Sequence, residues 1–147
     1  MVQLNLPAFD HQLKQADGKR WIFDILRRKY LVLTPEEWVR QHFVHYIINE
    51  LQYPKALIKV EGGLSYNKLS KRSDIVVFNR DGKPWMVIEC KAPDIPINDS
   101  TVQQASVYNA TLRASFLVVT NGMRHFLFRT DWDSNTTRVL DAMPEYI

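Results

Sequence analysis

The sequence holds a single cysteine, Cys90, among 147 residues. An internal disulfide framework is excluded, and a reducing, cytoplasmic setting is the expectation. One thiol cannot build a structural zinc site, and His11, His42, His45 and His125 show no zinc spacing. No run approaches the ~18 consecutive apolar residues that a membrane span needs. The N-terminus lacks the basic-then-apolar layout of a secretory signal. Glycine is scarce, at five residues, and no Gly-Lys-Ser/Thr phosphate loop occurs. Repeats, low-complexity tracts and long linkers are absent too.

Apolar and aromatic residues are plentiful. Hydrophobic residues make up 46% of the chain and aromatics 12%, enough to bury the core of one domain. The expected organisation is a single domain over 1–147, with its core at about 34–130 and an N-terminal extension at 1–33. The net charge of +3 is a mild bias. Its distribution says more. Lys55, Lys59, Lys68, Lys71, Arg72, Arg80 and Lys83 are opposed in that stretch only by Glu61, Asp74 and Asp81. Such an excess attracts a phosphate backbone, although a solvated face has the same composition.

Residues 1–18 read as irregular, with a turn at Asp17-Gly18, and Trp21 to Leu33 as short extended segments. Thr34-Pro35-Glu36-Glu37 predicts a helix start, with Thr34 as N-cap, Pro35 in the first turn and Glu37 placed for a capping box. The helix should reach about Leu51, with Val39, Phe43, Ile47 and Leu51 as its apolar stripe. Three strands follow: Leu57 to Glu61, ended by Gly62-Gly63; Asp74 to Phe78; and, after the turn at 79–82, Trp85 to Lys91. Pro93 and Pro96 forbid further pairing. Asp99 or Ser100 caps a second helix to about Ala114, whose Ala105, Ser106, Ala110 and Ala114 would let it lie close on a sheet. Ser115 to Thr120 is an apolar strand, Asn121-Gly122 a turn, Met123 to Arg129 the returning strand, and Thr136 to Leu140 an edge. The order predicts an α/β sandwich with a mixed central sheet flanked by helices.

The chemistry lies in Ser73 to Phe78 and Trp85 to Lys91. Side chains alternate along a strand, so Glu89 and Lys91 share a face and Cys90 points the other way. A carboxylate and an ammonium ending a Val/Ile-rich strand are costly unless they serve each other or a ligand. Asp74 opens the neighbouring strand, where a tight hairpin would bring it near Glu89. Two carboxylates repel, and a divalent cation relieves that repulsion. Oxygen ligands favour Mg²⁺ (or Mn²⁺), with the Cys90 backbone carbonyl as a third ligand. Phosphodiester hydrolysis fits, with Lys91 orienting water or stabilising charge on the phosphate. A same-face Glu-x-Lys ion pair also forms without catalysis. Burial within a strand argues against Cys90 as a nucleophile. Trp38, Trp85 and Trp132 read as core or rim aromatics.

This arrangement resembles the PD-(D/E)XK nuclease superfamily, whose core runs helix, three-strand meander, helix, strand. Within it, about Phe23 to Phe128 resembles the N-terminal nuclease domain of type I restriction enzyme R subunits. The matching segments are Thr34 to Gln41, Lys71 to Val77, Glu89-Cys90-Lys91-Ala92-Pro93, Gln104 to Tyr108, and Thr120-Asn121-Gly122. The resemblance implies a metal-dependent endonuclease or deoxyribonuclease with Asp74 and Glu89 as metal ligands and Lys91 as the catalytic lysine. It makes Glu37 an additional acid near the metal, where the capping-box reading stands beside it. It sets Gln104 and Tyr108, four apart on a helix, against DNA or a catalytic side chain, and a half-buried Tyr with a local Gln bond is the plainer alternative. Lys68, Lys71 and Arg72 would contact the DNA backbone. Ser73 stands where the superfamily name has Pro. Three roles are open: a stand-alone nuclease, a non-cleaving nucleic-acid-binding module, and an accessory subunit of a restriction or repair complex whose motor or specificity subunits act in trans. A homodimer would ease double-strand cutting.

Overall fold

The computed structural model of the chain describes residues 1–60 and 75–147. Two sheets are present among them. The smaller is an antiparallel meander of β1 (Leu13–Ala16), β2 (Lys19–Asp24) and β3 (Lys29–Val32). β1 lies in the stretch expected to be irregular. Leu-Lys-Gln-Ala does not alternate apolar with polar, and pairing with β2 creates the strand. Asp17 and Gly18 form the hairpin tip, with φ of 54° and 70°, the left-handed pair that a tight hairpin demands.

Helix α1 (Pro35–Asn49) starts where expected, with Thr34 Oγ1 accepting from Glu37 N at 3.0 Å. Val39, Phe43 and Ile47 are buried. Leu51 is only half-buried, because the helix stops two residues short of it. The larger sheet has the order β4 (Ile58–Val60), β5 (Ile75–Phe78), β6 (Pro84–Cys90), β7 (Phe116–Thr120), β8 (His125–Asp131) and β9 (Thr136–Leu140). Every neighbouring pair is antiparallel except β6 and β7, which run parallel. A parallel pair needs a long crossover, supplied here by α2 (Asp99–Leu112). The sheet is thus mixed. Glu61 and Gly62-Gly63, expected to end the first strand of the meander, lie outside the described residues.

Alternation divides the sheet into two cores. Ile75, Val77, Met86, Ile88, Cys90 and Val118 join Val39, Phe43 and Ile47 of α1. Val76, Val87, Leu117 and Val119 join Ala105 of α2 and Ala114 on the opposite face. The N-cap of α2 is Asn98 rather than Asp99 or Ser100, in a reciprocal capping box with Thr101. Asn caps as well as either alternative, and it alone has Thr101 three residues on. The helix ends at Leu112, where Arg113 turns left-handed and buried Asn109 bonds Ala114 through both its backbone groups. Ser106 and Ala110 are exposed rather than packed on the sheet. Ala105 and Asn109 set the buried stripe, and 106 and 110 fall on its flank.

The returning strand starts at His125 rather than Met123. Asn121 Oδ1 accepts from both Met123 N and Arg124 N at 2.9 Å, which holds those residues in the turn. The chain ends are tied down nearby. Asn5 N donates to Gly122 O at 2.8 Å, and Trp38 Nε1 donates to Val2 O at 2.8 Å. At the other end, Tyr146 OH donates to Phe78 O at 2.7 Å. Among the described residues no helix is long and apolar enough to cross a membrane.

Candidate active site

Residues Trp85 to Cys90 of β6 are all buried, and Glu89 is only 6% exposed. Ile88 and Cys90 belong to the core beneath α1, so Glu89, between them, faces α2. Lys91 follows on the same side. Lys91 N donates to Thr120 O at 2.8 Å. The backbone pairing with β7 therefore continues one residue past the strand and fixes where the side chain starts. Lys91 Nζ stands 3.2 Å from Glu89 Oε2, with the two side chains only 16% and 8% exposed. A carboxylate this buried is stable only when paired or bonded.

A small pocket opens beside this pair, lined by Glu89, Lys91, Thr101, Gln104, Ala105 and Tyr108. The four α2 residues recur at the three- and four-residue spacing of one helix face. The pocket holds about 10 Å³, close to the ~10–15 Å³ that a single water needs. The fold thus brings together Glu89, Lys91, Gln104 and Tyr108, four of the residues singled out in the sequence. Thr101 was missed. Its signal was present, since it stands three residues before Gln104 and lies in the first turn of the helix.

Glu37 lies in a different cluster. Its backbone N–H caps onto Thr34, but its carboxylate goes to Arg40 and to Gln41 Nε2, the latter at 2.7 Å. The reciprocal half of the predicted capping box is replaced by these longer-reaching partners. Gln41 Nε2 also donates to Asp24 Oδ2 at 3.3 Å, and Arg27 Nε meets the same oxygen at 3.1 Å. Asp24, Glu37, Arg40 and Gln41 are all buried. Arg40 and Gln41 were visible at spacings of three and four from Glu37. Asp24 carried no sequence signal, because strand β2 reaches α1 only through the fold.

Asp74, Lys68, Lys71 and Arg72 lie outside the described residues. Among the described residues no group of three His, Cys, Asp or Glu side chains is placed to hold a metal ion. The histidines sit elsewhere. His42 and His45 pack against Phe9, with ring centroids 4.7 and 4.1 Å away. Burial pushes both imidazoles below their usual range. For His42 the bond to the Trp38 carbonyl opposes that shift, and for His45 the neighbouring His42 adds to it.

Residues 35–144 match the family described as the type I restriction enzyme R protein N terminus. Among solved structures, the chain is similar to a fragment described as an HsdR subunit of a type I restriction enzyme from Vibrio vulnificus YJ016. The identity is 27% and the TM-score 0.38, over 60% of this chain and 16% of that one. This chain therefore spans a small part of that structure's length. No curated protein matches it.

Proposed function

The chain belongs to the type I restriction enzyme R protein N-terminal family, and on that premise we propose that it is a metal-dependent nuclease domain acting on DNA. The observation that carries the reading is the buried Glu89–Lys91 pair, facing the α2 pocket from the end of β6. The element order supports it. A helix, the antiparallel strands β4–β5–β6, a crossover helix and the parallel strand β7 stand in the order that a PD-(D/E)XK resemblance implies.

The donor chemistry fits Mg²⁺ or Mn²⁺. Glu89 offers a carboxylate, the Cys90 carbonyl is the next backbone oxygen, and hard oxygen donors suit these ions. Asp74 directly precedes Ile75, and Ile75 pairs with Ile88, the neighbour of Glu89. That register supports Asp74 as the second carboxylate. Such an ion would supply charge neutralisation at the scissile phosphate and activation of the attacking water. Lys91 orients the attacking water and stabilises the charge developing on the phosphate. Gln104 and Tyr108, on the helical wall of the pocket, hold the DNA or the Lys91 side chain. Lys68, Lys71 and Arg72 hold the DNA backbone. Glu37 belongs near the metal in the family pattern. Its engagement by Arg40 and Gln41 supports a role in bracing α1 against β2.

We assign any motor and specificity functions to partner subunits in a cytoplasmic complex. The test is incubation of the purified protein with supercoiled plasmid and with linear DNA, each with Mg²⁺, Mn²⁺ or chelator. Metal-dependent strand breaks are expected. DNA binding without breaks would make the domain a non-cleaving module. Product form separates nicking from double-strand cutting, which a homodimer would favour.

A further inference from the structure

The small sheet β1–β3 has an outer face that neither hydrophobic core uses. Ile22 and Leu13 point into the core beneath α1, whereas Trp21, Phe23, Tyr30 and Val32 belong to neither core. Register places Lys14, Trp21 and Val32 in one cross-strand row, and Phe23 with Tyr30 in another. Positions two apart on a strand share a face, so these rows lie side by side. The Phe23 and Tyr30 rings meet edge-on at 5.3 Å, and Lys14 Nζ lies 4.4 Å from the Tyr30 ring centre. Trp21 Nε1 donates to Ala16 O at 3.0 Å, which pins the indole on the sheet. All three aromatics are half-buried.

Beyond the β2–β3 turn lies a groove of about 650 Å³. Arg27, Arg28, Lys55 and Lys59 line it over an apolar floor, and no carboxylate is among its described lining residues. Arg27 pairs with Asp24, but Arg28, Lys55 and Lys59 form no ion pair among the described residues. The cations that line the groove outnumber the one carboxylate paired with them among the described residues, and a polyanion relieves the repulsion between like charges.

We propose that this hairpin and groove form a binding surface for single-stranded nucleic acid. The cationic groove holds phosphates, and unpaired bases stack on Trp21, Phe23 and Tyr30. An aromatic shelf discriminates between strand forms, because a duplex keeps its base faces stacked internally while a single strand offers them. The inference deepens the nuclease reading by naming the form of strand held, and its residues lie outside the Glu89 pocket.

The test is fluorescence anisotropy of the full chain with labelled oligothymidylate and with duplex DNA, in chelator so that nothing is cut. Tighter binding of the single strand is expected. Tyr30→Ala should weaken oligothymidylate binding about tenfold or more and leave duplex binding nearly unchanged. The double variant Arg28→Asn/Lys55→Gln keeps a residue tolerant of the left-handed backbone at 28, where φ is 59°. It should lower the log–log salt slope for the single strand by about 1.4, at about 0.7 per lost phosphate contact. An unchanged slope in the double variant, or duplex bound as tightly as single strand, would overturn the proposal even if Tyr30→Ala failed to fold. A protein that binds oligothymidylate but never cuts would remove the nuclease reading and leave this surface standing. One that cuts but ignores oligothymidylate would do the reverse.

Discussion

Lys91 Nζ lies 3.2 Å from Glu89 Oε2, two residues along the same chain and on the sheet face opposite the core beneath α1. The ammonium offsets the cost of burying the carboxylate beside the α2 pocket. Glu89→Gln removes that charge with little change in shape. Mg²⁺ should raise the thermal midpoint of the wild-type protein, as any ligand of the folded state does, and should leave that of Glu89→Gln unmoved. An equal rise in both proteins would take Glu89 out of the metal site.

Tyr108 and Gln104 reach the same pocket from α2. Tyr108→Phe deletes one hydroxyl and keeps the ring. If the hydroxyl holds DNA or Lys91, cleavage should fall by about ten- to a hundredfold, the cost of a hydrogen bond to a charged group, with folding stability nearly unchanged. Unaltered cleavage would reduce Tyr108 to packing.

Gly122 has φ of 85°, and a Cβ built there would lie 2.9 Å from Leu4 Cδ2. Gly122→Ala meets both a left-handed backbone and the N-terminal segment that Asn5 ties to the same residue. A loss of about 1–3 kcal/mol is expected from chemical denaturation. Leu4→Ala alone costs stability because Leu4 is buried, so the steric part should show as a favourable coupling between the two substitutions in a double-mutant cycle.

His42 and His45 carry a pH dependence of known sign. Burial lowers both below the ordinary value of 6.5, so between the folded and unfolded values the unfolded chain binds more protons. Stability is therefore fully present above about 6.5 and declines as pH falls toward the folded values. Denaturation midpoints across that window should drop on acidification. His45→Phe, which keeps a ring against Phe9, should flatten the drop. A midpoint that rises on acidification would contradict the burial of these imidazoles.

Much of this was legible in the sequence, for identifiable reasons. Strand alternation alone placed Glu89 and Lys91 together and turned Cys90 into the core. The four-residue spacing of Gln104 and Tyr108 put both on the wall of one pocket. Thr34 and Pro35 located the start of α1 through local bonding. What escaped depended on partners distant in sequence. β1 exists because β2 pairs with it, and Asp24 is buried because α1 brings Gln41 to it. Asn98, Asp99 and Ser100 are all competent caps, and only the bond to Thr101 N selects Asn98. The small residues of α2 promised close packing, yet composition could not say which flank faced the sheet, and Ser106 and Ala110 came out exposed.

The most direct measurement is plasmid cleavage by Lys91→Ala beside wild type, in Mg²⁺, with native circular dichroism established for both. Wild type should break strands and the variant should lose about 10²–10³-fold in rate, the scale for removing a group that stabilises developing charge. A folded Lys91→Ala protein that cuts at the wild-type rate would contradict the account.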